Sequence, residues 1–302
     1  MMQTTTKKEI TFSGVGLHTG RDVRVRILPA EEDSGVRFIR KDLPGFPSIK
    51  ADGANVVNTN YATTLGAGGV TVSTVEHILA ALYGLGVDNV DIEVYGSEIP
   101  ILDGSAGEFI KKIEAVGLSH LMAEREYLVI KRPIKVSEGD KYLMLLPSNE
   151  PGLRIDYSID FSHPVLSKQI FSRHCTREVF IDEIGNARTF GFLSDIEMLR
   201  ANGLAMGGSL SNAVVVGDSD ILNKDGLRYP DEFVRHKALD LIGDLSLVGA
   251  PVSGLLIAHR SGHALNHRLL QKIVRHRPRW ELERGNVTRL HYNTERREAV
   301  GL

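Results

Sequence analysis

The sequence predicts an α+β protein of two similar domains, each a β-sheet layered on helices, with the helices of the two domains facing one another. Three observations carry that expectation. The chain has 302 residues, enough for two hydrophobic cores. Each half runs from strand signals into helix signals, the order of an α+β unit. The halves also echo one another. His77 opens a segment holding Leu82-Tyr83-Gly84-Leu85-Gly86 ahead of a strand, and His236 opens one holding Ile242-Gly243-Asp244-Leu245 ahead of a strand at Val252. Duplication of one unit would bring two equivalent helices, each bearing a histidine, to a shared interface.

In chain order, Ile10 to Ser13 and the alternating Val23, Val25 and Ile27 flank the glycine-rich Gly14-Val15-Gly16-Leu17-His18-Thr19-Gly20, a strand-turn-strand signal. The glycine spacing matches neither the dinucleotide fingerprint nor a Walker loop, which argues against a nucleotide-binding fold. Residues 29 to 70 are rich in Gly, Pro, Asn and Asp, with short strand candidates near Val36 to Ile39 and Ala62 to Leu65. The segment opening at Ser73 has helical periodicity closed by Gly84 to Gly86, and Val90 to Tyr95 reads as a strand. Ser73 with Glu76 has capping-box spacing, as has Ser105 with Glu108 at the start of a helix running to about Val116. Glu76 therefore has a purely structural reading beside any chemical one.

The polar Ala123-Glu124-Arg125-Glu126 is the best domain boundary, dividing the chain into 1–126 and 127–302. Strands are expected over Tyr127 to Lys131, Ile134 to Val136, Tyr142 to Leu146 and Leu153 to Phe161. A short helix over Val179 to Gly185 and a helical piece ending near Arg200 follow, then a glycine-broken apolar stretch, Asn202 to Val216. Past the His236 helix come a strand over Val252 to Ala258, a turn at Ser261-Gly262-His263, a last helix from Asn266 to about Arg275 and a charged tail.

Charge is nearly balanced, 36 basic against 38 acidic residues for a formal net charge of -2, so no global field favours nucleic acid and an anionic ligand must be met locally. One cysteine, Cys175, rules out an intrachain disulfide or a multi-cysteine metal site and suits a reducing compartment. No apolar leader stands at the start, and no apolar run reaches about 18 residues. A cytoplasmic protein without a transmembrane segment is expected, with transient contact with a membrane surface left open.

The helix around His236 carries the chemistry. At about 100° per residue, His236, Asp240 and Asp244 fall within roughly 80° of one another, while Val234, Ala238, Leu241, Ile242 and Leu245 cover the other side. Buried imidazoles and carboxylates must be paired or bind a metal. His and Asp four residues apart can supply two of the three protein ligands of an open zinc site; an ion pair inside a core is the plainer alternative. Adding His77 completes a set of His77, His236 and Asp240 with one position left free. Glu76 could then deprotonate water, His263 could protonate a leaving nitrogen while Asp244 keeps it charged, and Lys237 and Thr189 could stabilise developing negative charge.

Six segments, in order along nearly the whole chain, give the sequence a family likeness. They are Gly14-Val15-Gly16-Leu17-His18-Thr19-Gly20, Ser73-Thr74-Val75-Glu76-His77, Glu98-Ile99-Pro100-Ile101-Leu102-Asp103-Gly104-Ser105, Arg188-Thr189-Phe190-Gly191-Phe192, Phe233-Val234-Arg235-His236-Lys237-Ala238-Leu239-Asp240 and Ser261-Gly262-His263-Ala264-Leu265-Asn266. Together they resemble the UDP-3-O-acyl-N-acetylglucosamine deacetylase family, the zinc amidases of bacterial lipid A synthesis. The resemblance implies helices sandwiched between two sheets and an insertion in each domain, near residues 40 to 65 and 193 to 220. The second insertion would form an apolar passage for an acyl chain, with Phe192, Leu193, Ile196, Met198, Leu199, Leu204, Met206 and Leu210 as its side chains; ordinary core is the alternative use of that run.

The resemblance further implies zinc on His77, His236 and Asp240, with Glu76 as base, Thr189 at the oxyanion and protonated His263 assisting departure of the amine. Iron(II), Fe2+, suits the same ligands. Lys141 and Lys237 would lie near the diphosphate of a UDP-linked acylated amino sugar and Phe161 near its uracil, with Leu17, His18, Phe190 and Phe192 also at the substrate. A monomer is expected. One departure stands out: Ala62-Thr63-Thr64 lacks the cysteine that some relatives carry near the metal, which implies altered metal sensitivity rather than lost activity. Two competing readings are hydrolysis of another N-acetyl sugar and a silent metal-binding relative, the second weakened because every expected ligand, Glu76 and His263 are present.

Overall fold

Alternation along Asp22–Pro29 turns Val23, Val25 and Ile27 inward and Arg24 and Arg26 outward, so the strand buries one face only. It sits within a five-stranded sheet ordered Ile10–Val15, Asp22–Pro29, Val90–Tyr95, Val36–Arg40, Ser48–Lys50. Val36–Arg40 runs parallel to Val90–Tyr95; the other pairings are antiparallel. This computed structural model describes residues 1–284, and the final part of the second expected domain, residues 285–302, lies outside the described residues.

A second sheet, of seven strands, is centred on Val252–His259. That strand pairs antiparallel with Lys141–Leu146 and parallel with Leu153–Ile159 and Glu126–Ile130, so it is flanked by partners and its residues are largely apolar and buried. Ile134–Glu138, Gln169–His174 and Trp280–Arg284 complete the sheet.

The described residues form six α-helices: α1 Glu76–Leu85, α2 Gly107–Val116, α3 Arg177–Val179 running into a π turn at Phe180–Ile184, α4 Leu193–Ala201, α5 Glu232–Ser246 and α6 His263–Arg275. Helix α2 packs on the first sheet through Phe109, whose ring stands 4.8 Å from that of Phe12. Helix α5 lies over Leu153–Ile159 and Gln169–His174, and α6 over Ile134–Glu138 and Lys141–Leu146. The layers meet where α1 runs along α5, with every residue from Glu76 to Leu82 buried. The fold is α+β, with helices between two sheets, as the sequence predicts. No helix among the described residues is long and apolar enough to cross a membrane.

Several local expectations are corrected. Neither capping box forms. The Ser73 hydroxyl donates to the Ser97 carbonyl oxygen, and α1 starts without a side-chain cap because Thr74 takes a left-handed φ of 57° that carries Ser73 off the helix axis. Ser105 accepts from the Gly107 amide and is itself bonded to Asp103, with no reciprocal bond from Glu108. His263 is the first residue of α6, not part of a turn before it. Met2–Thr6 and Leu118–Glu124 pair as strands although both lack an apolar alternation; Thr4, Thr5 and Thr6 are the buried residues there. Around the expected second insertion, Phe190–Phe192 pairs parallel with Val214–Val216, while Leu193, Met198, Met206 and Leu210 are exposed, so that run is not ordinary core.

Candidate active site

Helix α5 sets the polar stripe. His236, Asp240 and Asp244 all face inward from it and are buried. Opposite, α1 presents Glu76 and His77 on its first turn. His236 Nε2 lies 3.3 Å and His77 Nε2 3.6 Å from the same oxygen, Asp240 Oδ1. Potential ligand atoms of all three side chains lie within 4.8 Å of one another. Two donors held about 2.1 Å from a tetrahedral ion stand about 3.4 Å apart, so the spacing suits one small cation.

The donor chemistry also fits. His236 Nδ1 stands 3.0 Å from the Ala187 carbonyl, which places the proton on Nδ1 and leaves the Nε2 lone pair aimed at the cluster. Burial depresses His236 to about 4, so its imidazole is neutral at physiological pH, the form that can bind a metal. Burial opposes charge on Asp240, but His236 and Lys237 beside it hold it well below the ordinary carboxylate range. The Lys237 ammonium donates to Asp240 Oδ2 at 2.6 Å.

A second pair of groups flanks the cluster. Burial raises Glu76, and one of its oxygens, Oε2, accepts from the Thr63 amide at 3.0 Å. His263 is pulled down by burial, yet the Asp244 carboxylate, 2.8 Å from its Nδ1, more than offsets that and raises it to about 9. Its Nε2 faces Glu76 Oε1 at 3.9 Å. Asp244 also accepts from Asn266 Nδ2 at 2.8 Å and from the Thr63 hydroxyl at 2.5 Å. His263 and Asn266 on α6 and Thr63 from the irregular stretch before α1 thus hold one carboxylate from two parts of the chain.

These groups line a cavity of about 380 Å³. Of the residues singled out in the sequence, Leu17, Glu76, His77, Lys141, Phe161, Thr189, Phe190, His236, Lys237, Asp240 and His263 line it. Asp244 stands behind His263. Phe192 and His18 are not on the wall. Phe192 packs against Phe161 at 5.8 Å and His163 at 5.4 Å. His18 is half-buried, with Nδ1 3.4 Å from the Ala205 amide, and burial depresses its imidazole.

The remaining motif residues build the walls. Glu98 is fully buried and accepts from the His18 and Thr19 amides and from the Thr19 and Thr74 hydroxyls, so it ties the glycine-rich loop to the start of α1. A Cβ on Gly16 would stand 2.2 Å from the Glu98 carboxylate, which is why the loop needs glycine there. Glu232, also fully buried, accepts from the Arg188 amide and guanidinium and from the Arg228 amide. The neighbouring Thr189 amide donates to the Gly104 carbonyl at 2.7 Å, bringing the Thr189 side chain to the cavity. Tyr61, Thr74, Ile159, Asp160, Arg260, Ser261 and Gly262 line the cavity without having been singled out for it. Backbone strain at Tyr61, Thr74 and Arg260, each with φ between 52° and 63°, marks the wall but has no signature in sequence.

Three side chains able to hold one metal ion, open to a cavity and flanked by a carboxylate and an imidazole, are the arrangement of a metal-dependent hydrolase, and that is the class the fold and the site point to. The chain belongs to the LpxC family, UDP-3-O-acyl N-acetylglycosamine deacetylase, whose model matches residues 3–275. Its relatives include proteins named UDP-3-O-acyl-N-acetylglucosamine deacetylase from Geobacter sp. (strain M21), 46% identical over 91% of this chain and 90% of the relative, and Campylobacter hominis, 48% identical over 93% and 95%. A third, from Myxococcus xanthus, carries the same name and is 49% identical over 90% of this chain and 86% of its own.

Proposed function

We propose that this protein hydrolyses the N-acetyl group of UDP-3-O-acyl-N-acetylglucosamine, releasing acetate and a UDP-linked amino sugar that keeps its O-acyl chain, in the cytoplasmic phase of lipid A synthesis. The convergence of His77, His236 and Asp240 with Glu76 and His263 in one cavity carries this reading, and the names of the relatives supply the substrate. Zinc is the ion assigned to the three ligands, with iron(II) as the other ion such a set accepts. When bound, it supplies Lewis acidity toward the amide carbonyl and toward water.

The chain's own residues do the rest. Glu76 takes the proton of the attacking water, a role supported by burial that raises its basicity. As the C–N bond breaks, His263 donates its Nε2 proton to the departing amine, and Asp244 keeps that imidazole charged until then. The Thr189 side chain and the Lys237 ammonium stabilise the negative charge that builds on the carbonyl oxygen; Lys237 is positioned for this by its bond to Asp240. Lys141 is assigned to the diphosphate and Phe161 to the uracil, with Leu17, His18, Phe190 and Phe192 assigned to the remaining substrate contacts. The exposed Leu193, Met198, Met206 and Leu210 are assigned to the acyl passage. The same reading divides the chain at about residue 126; its support is that no described ladder joins a strand of the five-stranded sheet to one of the seven-stranded sheet.

The test is acetate release from UDP-3-O-acyl-N-acetylglucosamine by purified protein, after chelation and again after zinc is restored. Loss and recovery of release is the expected outcome. Release untouched by thorough chelation removes the roles of the three ligands. Absence of release with zinc bound, accompanied by turnover of a simpler N-acetyl sugar, replaces the substrate.

A further inference from the structure

Thr63 lies in a loop-rich stretch with no helix signal, and its side chain is buried deep in the site. Its carbonyl oxygen accepts from the Val75 amide at 3.3 Å, at the entrance of α1. Its amide donates to Glu76 Oε2 at 3.0 Å, and its hydroxyl donates to Asp244 Oδ1 at 2.5 Å while standing 3.3 Å from His263 Nδ1. Among the described residues it alone hydrogen-bonds both carboxylates, one on α1 and one on α5.

We propose that Thr63 is a positioning residue for the hydrolysis, one that holds the base Glu76 and the His263–Asp244 pair in register through a single residue; this rests on the deacetylase reading above. The geometry explains why the hydroxyl matters. Asp244 Oδ2 is already shared by His263 Nδ1 and Asn266 Nδ2. The Thr63 hydroxyl occupies the other oxygen, so the plane of the carboxylate, and with it the direction of the imidazole, is defined at both ends. With Oδ1 left without a donor in a buried site, the carboxylate would rotate in search of one and carry His263 Nε2 away from the leaving nitrogen. A misplacement well under the length of a bond is felt only when the proton is transferred, so the loss belongs in kcat. Among the described residues Thr63 makes no hydrogen bond to His77, His236 or Asp240, so its role is one of position.

Three variants separate the hydroxyl from the shape of the side chain: Thr63→Val keeps the shape and removes the donor, Thr63→Ser keeps the donor, and Thr63→Ala removes both with no risk of overpacking. Each is assayed for acetate release at saturating zinc beside the unaltered protein, with bound zinc and circular dichroism recorded. The expected result is a fall in kcat of about 30-fold for Thr63→Val and Thr63→Ala with KM within about twofold, and activity within about threefold of the unaltered protein for Thr63→Ser, at equal zinc content. Loss of activity in Thr63→Ser with activity retained in Thr63→Val would overturn the role of the hydroxyl in favour of packing by the methyl group. Unchanged kcat in folded Thr63→Val or Thr63→Ala would overturn it outright, as would a rise in KM alone. An unaltered protein that releases no acetate overturns the deacetylase reading and this role with it, whereas an active one with indifferent variants overturns only the role of Thr63.

Discussion

Gly243 on α5 lies so close to Glu76 on α1 that a Cβ at position 243 would stand 2.0 Å from the Glu76 carbonyl oxygen. The two helices cross at this point with no side chain between them. Because Glu76 and His77 sit on one side of the crossing and Asp240 and Asp244 on the other, the absence of a side chain sets how far apart the site's two halves stand.

Gly243→Ala should therefore open the site. The added methyl must push backbone away, and overpacking of this kind costs about 1–3 kcal/mol. The expected outcome is a folded protein of lower Tm with weakened zinc binding and acetate release reduced about 100-fold or more, since misplacements of about 1 Å cost rates of that order. Zinc titration and a thermal melt on the same sample check it; zinc affinity equal to that of the unaltered protein would show that the crossing does not set the span of the cluster.

Asp244→Asn should move the alkaline limb of the pH profile. Burial alone would depress His263, and it is the Asp244 carboxylate that raises it to about 9. The protonated imidazole is the form assigned to the leaving-group step, so activity falls as pH rises through its pKa. Without the negative partner that pKa drops, and the loss sets in at lower pH. A pH series of kcat/KM measures the shift; a limb that stays in place assigns it to another group.

Zinc should stabilise the fold through its three ligands. An ion that binds only the native state adds about 2.7 kcal/mol when present at 100 times its Kd. Protein stripped of metal should gain several degrees in Tm when zinc is added, and His77→Ala should lose most of that gain. Differential scanning calorimetry with and without zinc decides it, and an equal gain in the variant would place the ion elsewhere.

Glu232→Gln should destabilise the protein in a pH-dependent way. Burial disfavours the charged form of Glu232, but the Arg188 guanidinium and the Arg188 and Arg228 amides outweigh it and hold the carboxyl below its ordinary range. A carboxylate depressed in this way lends stability that is complete above its unfolded value of about 4.3 and is lost as pH falls through the folded value. At neutral pH the variant should lose about 3–5 kcal/mol, the range for breaking a buried pair, and the difference should close below about pH 4. Urea unfolding at a series of pH values measures it. A constant deficit would mean that shape, not charge, is what Glu232 contributes.

Much of the site is legible in sequence wherever a regular element displays it. The i, i+4 spacing of His236, Asp240 and Asp244 defines a face before any neighbour is known, and the echo between the two halves points to His77 as the residue that meets it. Residues whose part depends on contact across the fold carry no such mark. Thr63 lies in an irregular stretch, and its bonds reach 13, 181 and 200 positions along the chain. Ser73 and Glu76 have the spacing of a capping box, but a left-handed Thr74 and a donor from Thr63 direct Glu76 into the cavity instead.

From sequence alone come the α+β class, the polar face of α5 and the family likeness, because hydrophobic periodicity and motif order are local properties of a chain. Only the tertiary structure decided that His77 and His236 share one oxygen of Asp240, that His263 opens a helix against Asp244, that His18 and Phe192 are not among the residues lining the cavity, and that Thr63 bonds both Glu76 and Asp244. The first of those facts depends on how closely two helices from distant parts of the chain can approach. That distance is set at Gly243 by the absence of a side chain, and its consequence appears only once the helices are packed.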